Sequence, residues 1–250
     1  MQGQGARLSL RRLSAQAEVS DDSTLLTARR AKAAVVHRLL EAEYGPHLWR
    51  PHRDPLGELI LTILSQHTSD VNSGRAFEQL IQSFPSWEAV RDAPTDQVAA
   101  AIRGGGLGEI KAPRIQAILR RIWEERGGFD LDFLRRLPLE EARAWLRSLP
   151  GVGPKTAACV LLFSLGLPAL PVDTHVHRVS QRLGLADADA TPEQAEAMLE
   201  KIVPPEHVYA FHLNLIALGR QICKAQHPRH EVCVVRDVCD CYTLHRRGAP

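Results

Sequence analysis

In nearly every patterned segment of this 250-residue chain, apolar residues recur at spacings of three and four, and no segment alternates apolar with polar. That rhythm lines up one face of an α-helix and does not suit the two-residue period of a half-buried strand. Val35, Val36, Leu39 and Leu40 share a face in 29–43, as do Ile115, Ile118, Leu119 and Ile122 in 110–125. Thr191-Pro192-Glu193-Gln194 carries a helix start: an N-cap hydroxyl, a proline at the first helical position and a capping-box glutamine. Further helices are expected at 57–66, 74–83, 95–103, 139–147, 154–166, 174–184 and 205–220. Glycine and proline punctuate the joints at Gly104-Gly105-Gly106, Gly127-Gly128, Pro150-Gly151-Val152-Gly153 and Pro168-Ala169-Leu170-Pro171. The run Val232-Cys233-Val234-Val235 is read as a loop folded around a metal rather than a strand. The expected fold class is all-α.

An apolar fraction of 44% supports a sizeable core in one large domain, or in two small ones sharing a cleft. No uninterrupted apolar run approaches the roughly 18 residues of a membrane span, so no membrane partner is expected. Residues 1–24 contain arginines but lack the apolar stretch of a secretory signal; they are expected to form a flexible tail on a cytoplasmic protein. The net charge of +2 permits a nucleic-acid partner without arguing for one, because charge clustering matters more than the total. Cysteine placement is lopsided. Cys159 lies in an apolar helical run and reads as a small buried hydrophobe. Cys223, Cys233, Cys239 and Cys241 fall within nineteen residues. In a cytosolic chain such a cluster suggests a metal or iron–sulfur site before disulfides.

Residues 139–166, LEEARAWLRSLPGVGPKTAACVLLFSLG, read as helix, tight turn, helix. Gly151 and Gly153 allow positive φ and close backbone approach, and Pro154 suits the first position of the second helix. A glycine turn feeding a helix N-terminus exposes N–H groups that bind phosphate without reading sequence. An αα-corner whose glycines serve packing alone is equally compatible with this turn chemistry. Lys155 stands in the first turn of its helix, where the macrodipole disfavours a cation. A neutral lysine amine is a nucleophile that can form a Schiff base. Asp173 is placed to cap helix 174–184, and capping would by itself explain an aspartate there. Helix 154–166 carries the chain about 18 Å away from Lys155. An extended 167–172 returns about as far. Asp173 can therefore arrive beside Lys155, where a carboxylate can accept its proton or stabilise a cationic transition state.

Leu149-Pro150-Gly151-Val152-Gly153-Pro154-Lys155-Thr156-Ala157, followed by Val172-Asp173-Thr174-His175-Val176, resembles the helix-hairpin-helix-plus-aspartate signature of the endonuclease III family of DNA glycosylases. The resemblance extends over roughly residues 30–245. It implies that the hairpin, through Gly151 and Gly153, grips the DNA backbone beside the lesion, often with a monovalent cation. It makes Lys155 the Schiff-base lysine that attacks the sugar C1′ of a flipped nucleotide, and Asp173 the catalytic aspartate. A lysine here implies base removal followed by β-elimination. Leu64-Ser65-Gln66-His67-Thr68-Ser69-Asp70 looks like the family's segment that inserts a polar side chain beside the orphaned base. The family's glutamine commonly falls where this chain has His67, so Gln66 or His67 would fill the gap; the residues alone read as a polar loop after a core helix. Gly104-Gly105-Gly106-Leu107 resembles the second wedge loop, with Leu107 as intercalating side chain. Lys111 and Arg114 behind it would reach phosphates or form a solvated helix face.

The C-terminal cysteines resemble the family's 4Fe–4S loop, C-x6-C-x2-C-x5-C. Cys223, Cys233 and Cys239 match; His230 occupies the second position, and Cys241 is extra. Imidazole can replace thiolate on cluster iron, although three cysteines and a histidine also suit zinc. The remaining spacing follows the iron–sulfur pattern, so a 4Fe–4S cluster held by Cys223, His230, Cys233 and Cys239 is expected. The family implies two helical lobes flanking a DNA-binding cleft: 57–167 with the hairpin, and 25–56 with 168–250 around the cluster. The expected activity is base-excision repair of damaged double-stranded DNA by a monomeric glycosylase with AP lyase activity, acting on oxidised pyrimidines. Two alternatives stand: a glycosylase for a mismatched or deaminated base, and a non-catalytic helix-hairpin-helix DNA-binding protein. Binding alone requires neither Lys155 nor Asp173.

Overall fold

Residues 6–44 contain neither proline nor glycine, so nothing in them interrupts a helix. In the computed structural model, helix α1 spans Gly5–Tyr44, ahead of the residue-29 start suggested by its apolar face. The structure describes residues 5–246 and Gly248, with side chains from residue 23 onward except His245. Residues 1–4 of the expected tail lie outside the described residues. Gly45, at φ +90°, ends α1 by donating its N–H to Glu41 O at 2.8 Å.

The chain divides into two units, residues 1–47 with 174–250, and residues 48–173. The second contains α2 (Pro55–Ser65), α3 (Asp70–Ser83), α4 (Trp87–Asp92), α5 (Thr95–Ala101), α6 (Gly108–Arg126), α7 (Leu139–Arg147) and α8 (Pro154–Cys159). Helix α2 is its axis: Asp54 caps it by accepting from Gly57 N at 2.9 Å, and Leu59, Ile60, Ile63 and Leu64 are fully buried. It packs against α3, α6 and α8, and the core continues through Ile115, Ile118, Leu119 and Ile122 of α6. Helix α4 was not expected, because six residues are too few to display a helical period.

The expected helix 154–166 is not a single α-helix. After Cys159 it widens into a π-helical turn over Val160–Ser164. The carbonyls of that turn are claimed by donors from elsewhere: Trp49 Nε1 reaches Leu162 O at 2.7 Å, and Arg135 reaches Ser164 O and Leu165 O, each at 2.6 Å. Such outside donors relieve the last turn of its ordinary ladder. The Trp49 bond, with His52 N donating to Phe163 O, also explains why residues 48–56 go with this unit.

In the other unit α1 is joined by α9 (Thr174–Leu183), α10 (Pro192–Ile202), α11 (Val208–Gln221) and α12 (Asp240–Arg246). Ala33, Val36 and Leu40 of α1 are buried, and α11 packs against both α1 and α9. The capping box at Thr191 and Gln194 forms as read from the sequence. Lys32 of α1 donates to Leu183 O at 3.0 Å and pairs with Asp240, tying α1 to the ends of α9 and α12. Among the described residues there is no strand, and no helix is long and apolar enough to cross a membrane.

Candidate active site

Helices α7 and α8 and the turn between them form the helix-hairpin-helix unit. Ala142, Leu146 and Leu149 bury the inner side of α7, and Val152 N donates to Leu149 O at 3.2 Å to close the turn. The two glycines have different reasons. Gly151 sits at φ +72°, and a Cβ there would lie 2.5 Å from Cδ and Nε of Arg114. Gly153 has ordinary φ and a Cβ there would meet nothing within 4 Å, so packing does not demand glycine. What its missing side chain does is leave the start of α8 open to a close-approaching backbone.

Lys155, in the first turn of α8, is exposed, while Thr156 to Cys159 are buried behind it. One turn on, the Cys159 thiol feels the charges of Lys155, Glu58 and Asp173. Asp173 is half-buried, engaged by other groups, and immediately precedes α9. Lys155 and Asp173 thus both act electrostatically on Cys159, at the end of α8. Burial pushes the Cys159 thiol up to about 11, even though the Lys155 ammonium pulls the other way. Cys159 is buried, as read from the sequence.

Glu58 was not anticipated. It is 5% exposed on α2, and its pKa is raised by burial, with the Arg53 and Lys155 charges opposing that rise. A glutamate in the first turn of a helix reads from sequence as a solvated partner for the macrodipole. The available signal was that α2 is otherwise strongly apolar, with Glu58 its single charged residue.

The end of α2 and the glycine loop, the two segments expected to act as wedges, are tied together by one side chain. Lys111 does not reach solvent, contrary to its reading as a phosphate contact: it is 2% exposed, and its ammonium donates to Leu64 O at 2.6 Å and Gly105 O at 2.9 Å. Those carbonyls lie at the end of α2 and in the glycine loop, so one cation spans both. Arg114 donates to Gln66 Oε1 at 2.8 Å, and Gln66 Nε2 donates to Thr156 Oγ1 at 3.4 Å. Gln66 is thereby held against α8. His67 is exposed at φ +55°, and Leu107 is 48% exposed at φ +56°. Both occupy left-handed backbone positions, which cost non-glycine residues conformational energy.

In the other unit Cys223, Cys233, Cys239, Cys241 and His230 line one cavity, walled by Val179, Leu183 and Leu218. The α9 arginines shape the entrance of the loop: Arg178 Nε donates to Cys223 O at 3.0 Å, and Arg182 to Lys224 O at 2.7 Å and Ala225 O at 3.0 Å. His230 packs edge-on against Tyr242, ring centroids 5.4 Å apart, and accepts at its carbonyl from Cys233 N. Burial pushes the Cys233 and Cys239 thiols up, so a bound cationic cluster would be what ionises them. Soft sulfur donors lining one largely apolar cavity suit an iron–sulfur cluster in chemistry, although among the described residues no three of them stand close enough together to hold a metal as they are.

A helix-hairpin-helix unit with a lysine and an aspartate acting on one buried cysteine, together with a cysteine-lined loop, defines an iron–sulfur DNA-repair architecture. The family described as HhH-GPD superfamily base excision DNA repair protein matches residues 60–205, and the iron–sulfur binding domain of endonuclease III matches residues 223–239. Endonuclease III of Thermotoga maritima is 39% identical over 78% of this chain and 87% of its own length. A putative DNA glycosylase of Arabidopsis thaliana is also 39% identical, over 67% of this chain and 57% of that protein. A solved endonuclease III–DNA complex, described as a trapped covalent intermediate, superposes with TM-score 0.75 at 30% identity, covering 87% of this chain and 99% of that one. The chain belongs to the HhH-GPD superfamily of base excision DNA repair proteins. Within it, the protein is an endonuclease III-like DNA glycosylase with a 4Fe–4S cluster as cofactor. When bound, that cluster crosslinks the C-terminal loop as a structural element.

Proposed function

We propose that the protein removes oxidised pyrimidines from damaged double-stranded DNA and then nicks the strand as an AP lyase, with Lys155 and Asp173 as catalytic residues. The observation that carries this reading is that Lys155 and Asp173 both act electrostatically on Cys159, within the helix that an open glycine hairpin starts. The hairpin N–H groups around Gly151 and Gly153 lie against a phosphate. Lys155 Nζ, as the free amine, attacks C1′ of the flipped nucleotide; the bond from C1′ to the base breaks and its electron pair leaves with the base. The Asp173 carboxylate stabilises the positive charge that develops on the sugar. The C1′–O4′ bond of the resulting aminal then breaks, with a proton from the nitrogen passing to O4′, and the Schiff base so formed makes the C2′ proton acidic; its loss expels the 3′ phosphate. Cys159 keeps its proton at neutral pH and so does not compete as a nucleophile. Support also comes from the covalent DNA intermediate of the endonuclease III relative.

Leu107 serves as the apolar wedge, and His67 enters the gap left by the flipped base, since Gln66 is engaged with Arg114 and Thr156. Cys223, Cys233 and Cys239 hold the cluster, with His230 as fourth ligand. The test is to incubate the protein with duplexes carrying one oxidised pyrimidine, one uracil or one mismatched base, with and without borohydride. The oxidised pyrimidine should give a nick and a reducible adduct. Lys155→Ala should lose both while still binding DNA. An undiminished adduct in Lys155→Ala overturns the lysine assignment, and preferential release of uracil or a mismatched base overturns the substrate.

A further inference from the structure

Arg182, near the end of α9, meets the cysteine loop at sulfur as well as at backbone. Its Nη1 stands 3.4 Å from Cys223 Sγ, a hydrogen-bond distance for a sulfur acceptor, and its backbone carbonyl accepts from Cys239 Sγ at 3.2 Å. Its donations to Lys224 O and Ala225 O already anchor the loop, so the contact to sulfur is additional to that structural task. The guanidinium also keeps its charge for the sulfur: Asp187 and Asp240 line the same open groove, of about 750 Å³, but pair with Arg29 and Lys32 instead. Arg182 lines both that groove and the cavity of the cysteines, and is thus part of the wall between them.

We propose that Arg182 sets the reduction potential of the 4Fe–4S cluster, acting as a positioning residue through its bond to Cys223 Sγ. This rests on Cys223 being a cluster ligand. In the loaded protein that sulfur is a thiolate. When an external one-electron reductant supplies an electron, no bond breaks and no proton moves; the added negative charge spreads over the cluster and its sulfurs. A guanidinium stays protonated throughout, so its N–H stabilises the more negative state. The apolar wall of Val179, Leu183 and Leu218 makes that attraction stronger than it would be in water. The reduced form is therefore favoured and the potential raised. Lysine replaces the arginine only in part, because the planar fork bonds two carbonyls and the sulfur at once.

The test is film voltammetry of the holoprotein, Arg182→Gln, Arg182→Lys and Lys224→Gln, with iron content measured and bleaching of the brown absorbance by ferricyanide timed on the same samples. Arg182→Gln should make the cluster about tenfold easier to oxidise, a fall in potential of about 59 mV, and should bleach sooner. Arg182→Lys should fall between. Lys224→Gln removes an exposed neighbouring charge that has no bond to sulfur, and should leave the potential nearly unchanged. A purely structural arginine would lower iron content without moving the potential of the cluster that remains. An unchanged or raised potential in Arg182→Gln overturns the proposal, as does an equal fall in Lys224→Gln, which makes the effect one of general charge. If Arg182→Gln holds no cluster, Arg182→Lys decides by the same criterion; if the parent gives no reversible wave, the bleaching rates decide. Full iron in Cys223→Ala removes the ligand assignment and the proposal with it; iron lost there, with no shift in Arg182→Gln, removes Arg182 alone.

Discussion

Replacing Lys111 by methionine keeps the unbranched chain as far as Cε and removes the ammonium that links the end of α2 to the glycine loop. That ammonium makes two hydrogen bonds to backbone carbonyls, at 2.6 Å to Leu64 O and 2.9 Å to Gly105 O, in a side chain 2% exposed. Losing them strands two buried acceptors at about 1–3 kcal/mol each. Methionine recovers roughly 1–2 kcal/mol because its apolar end is better buried than an ammonium. The net loss should centre on about 2.5 kcal/mol, which in a chain of this size lowers Tm by roughly 5–10 °C. Thermal unfolding followed by circular dichroism measures it, with Lys224→Met, at an exposed position, as the control expected within about 0.5 kcal/mol of the parent. The glycine loop and the end of α2 should also loosen together, so turnover on a lesion duplex should fall more than binding to undamaged duplex. A stability loss under about 1 kcal/mol would show that the carbonyls find other donors and that Lys111 is no strut.

Asp173→Asn should retain fold and DNA binding yet lose most base release, since asparagine caps a helix as well as aspartate but carries no charge; near-normal turnover would leave Asp173 a cap. Leu107→Ala should impair processing of a lesion more than binding to undamaged duplex, because a wedge contributes only when a base leaves the stack; equal losses would make it a general contact. His230→Ala should lose iron and the brown absorbance on purification while Cys241→Ala keeps them; the opposite pattern transfers the fourth ligand to Cys241, which lines the same cavity.

Features carried by neighbouring residues were legible in the amino-acid sequence. The helical class follows from spacing, the capping box from four consecutive residues, and the hairpin from Pro150 to Lys155. The cysteine loop is likewise a local spacing, because its ligands lie within one short stretch of chain. Tertiary structure decided what each polar side chain faces. Periodicity places Lys111 on a helix but does not reveal that the end of α2 and the glycine loop supply carbonyls to bury it. Gln66 and His67 are adjacent and both polar, yet one is held by Arg114 and Thr156 while the other projects from left-handed backbone. Glu58 was the least legible. A first-turn glutamate has an ordinary local explanation, and only the packing of α2 on α8 lets the Lys155 charge act on it. Local propensity acts over a few residues, whereas burial and electrostatics act between residues about a hundred positions apart in sequence and adjacent in space.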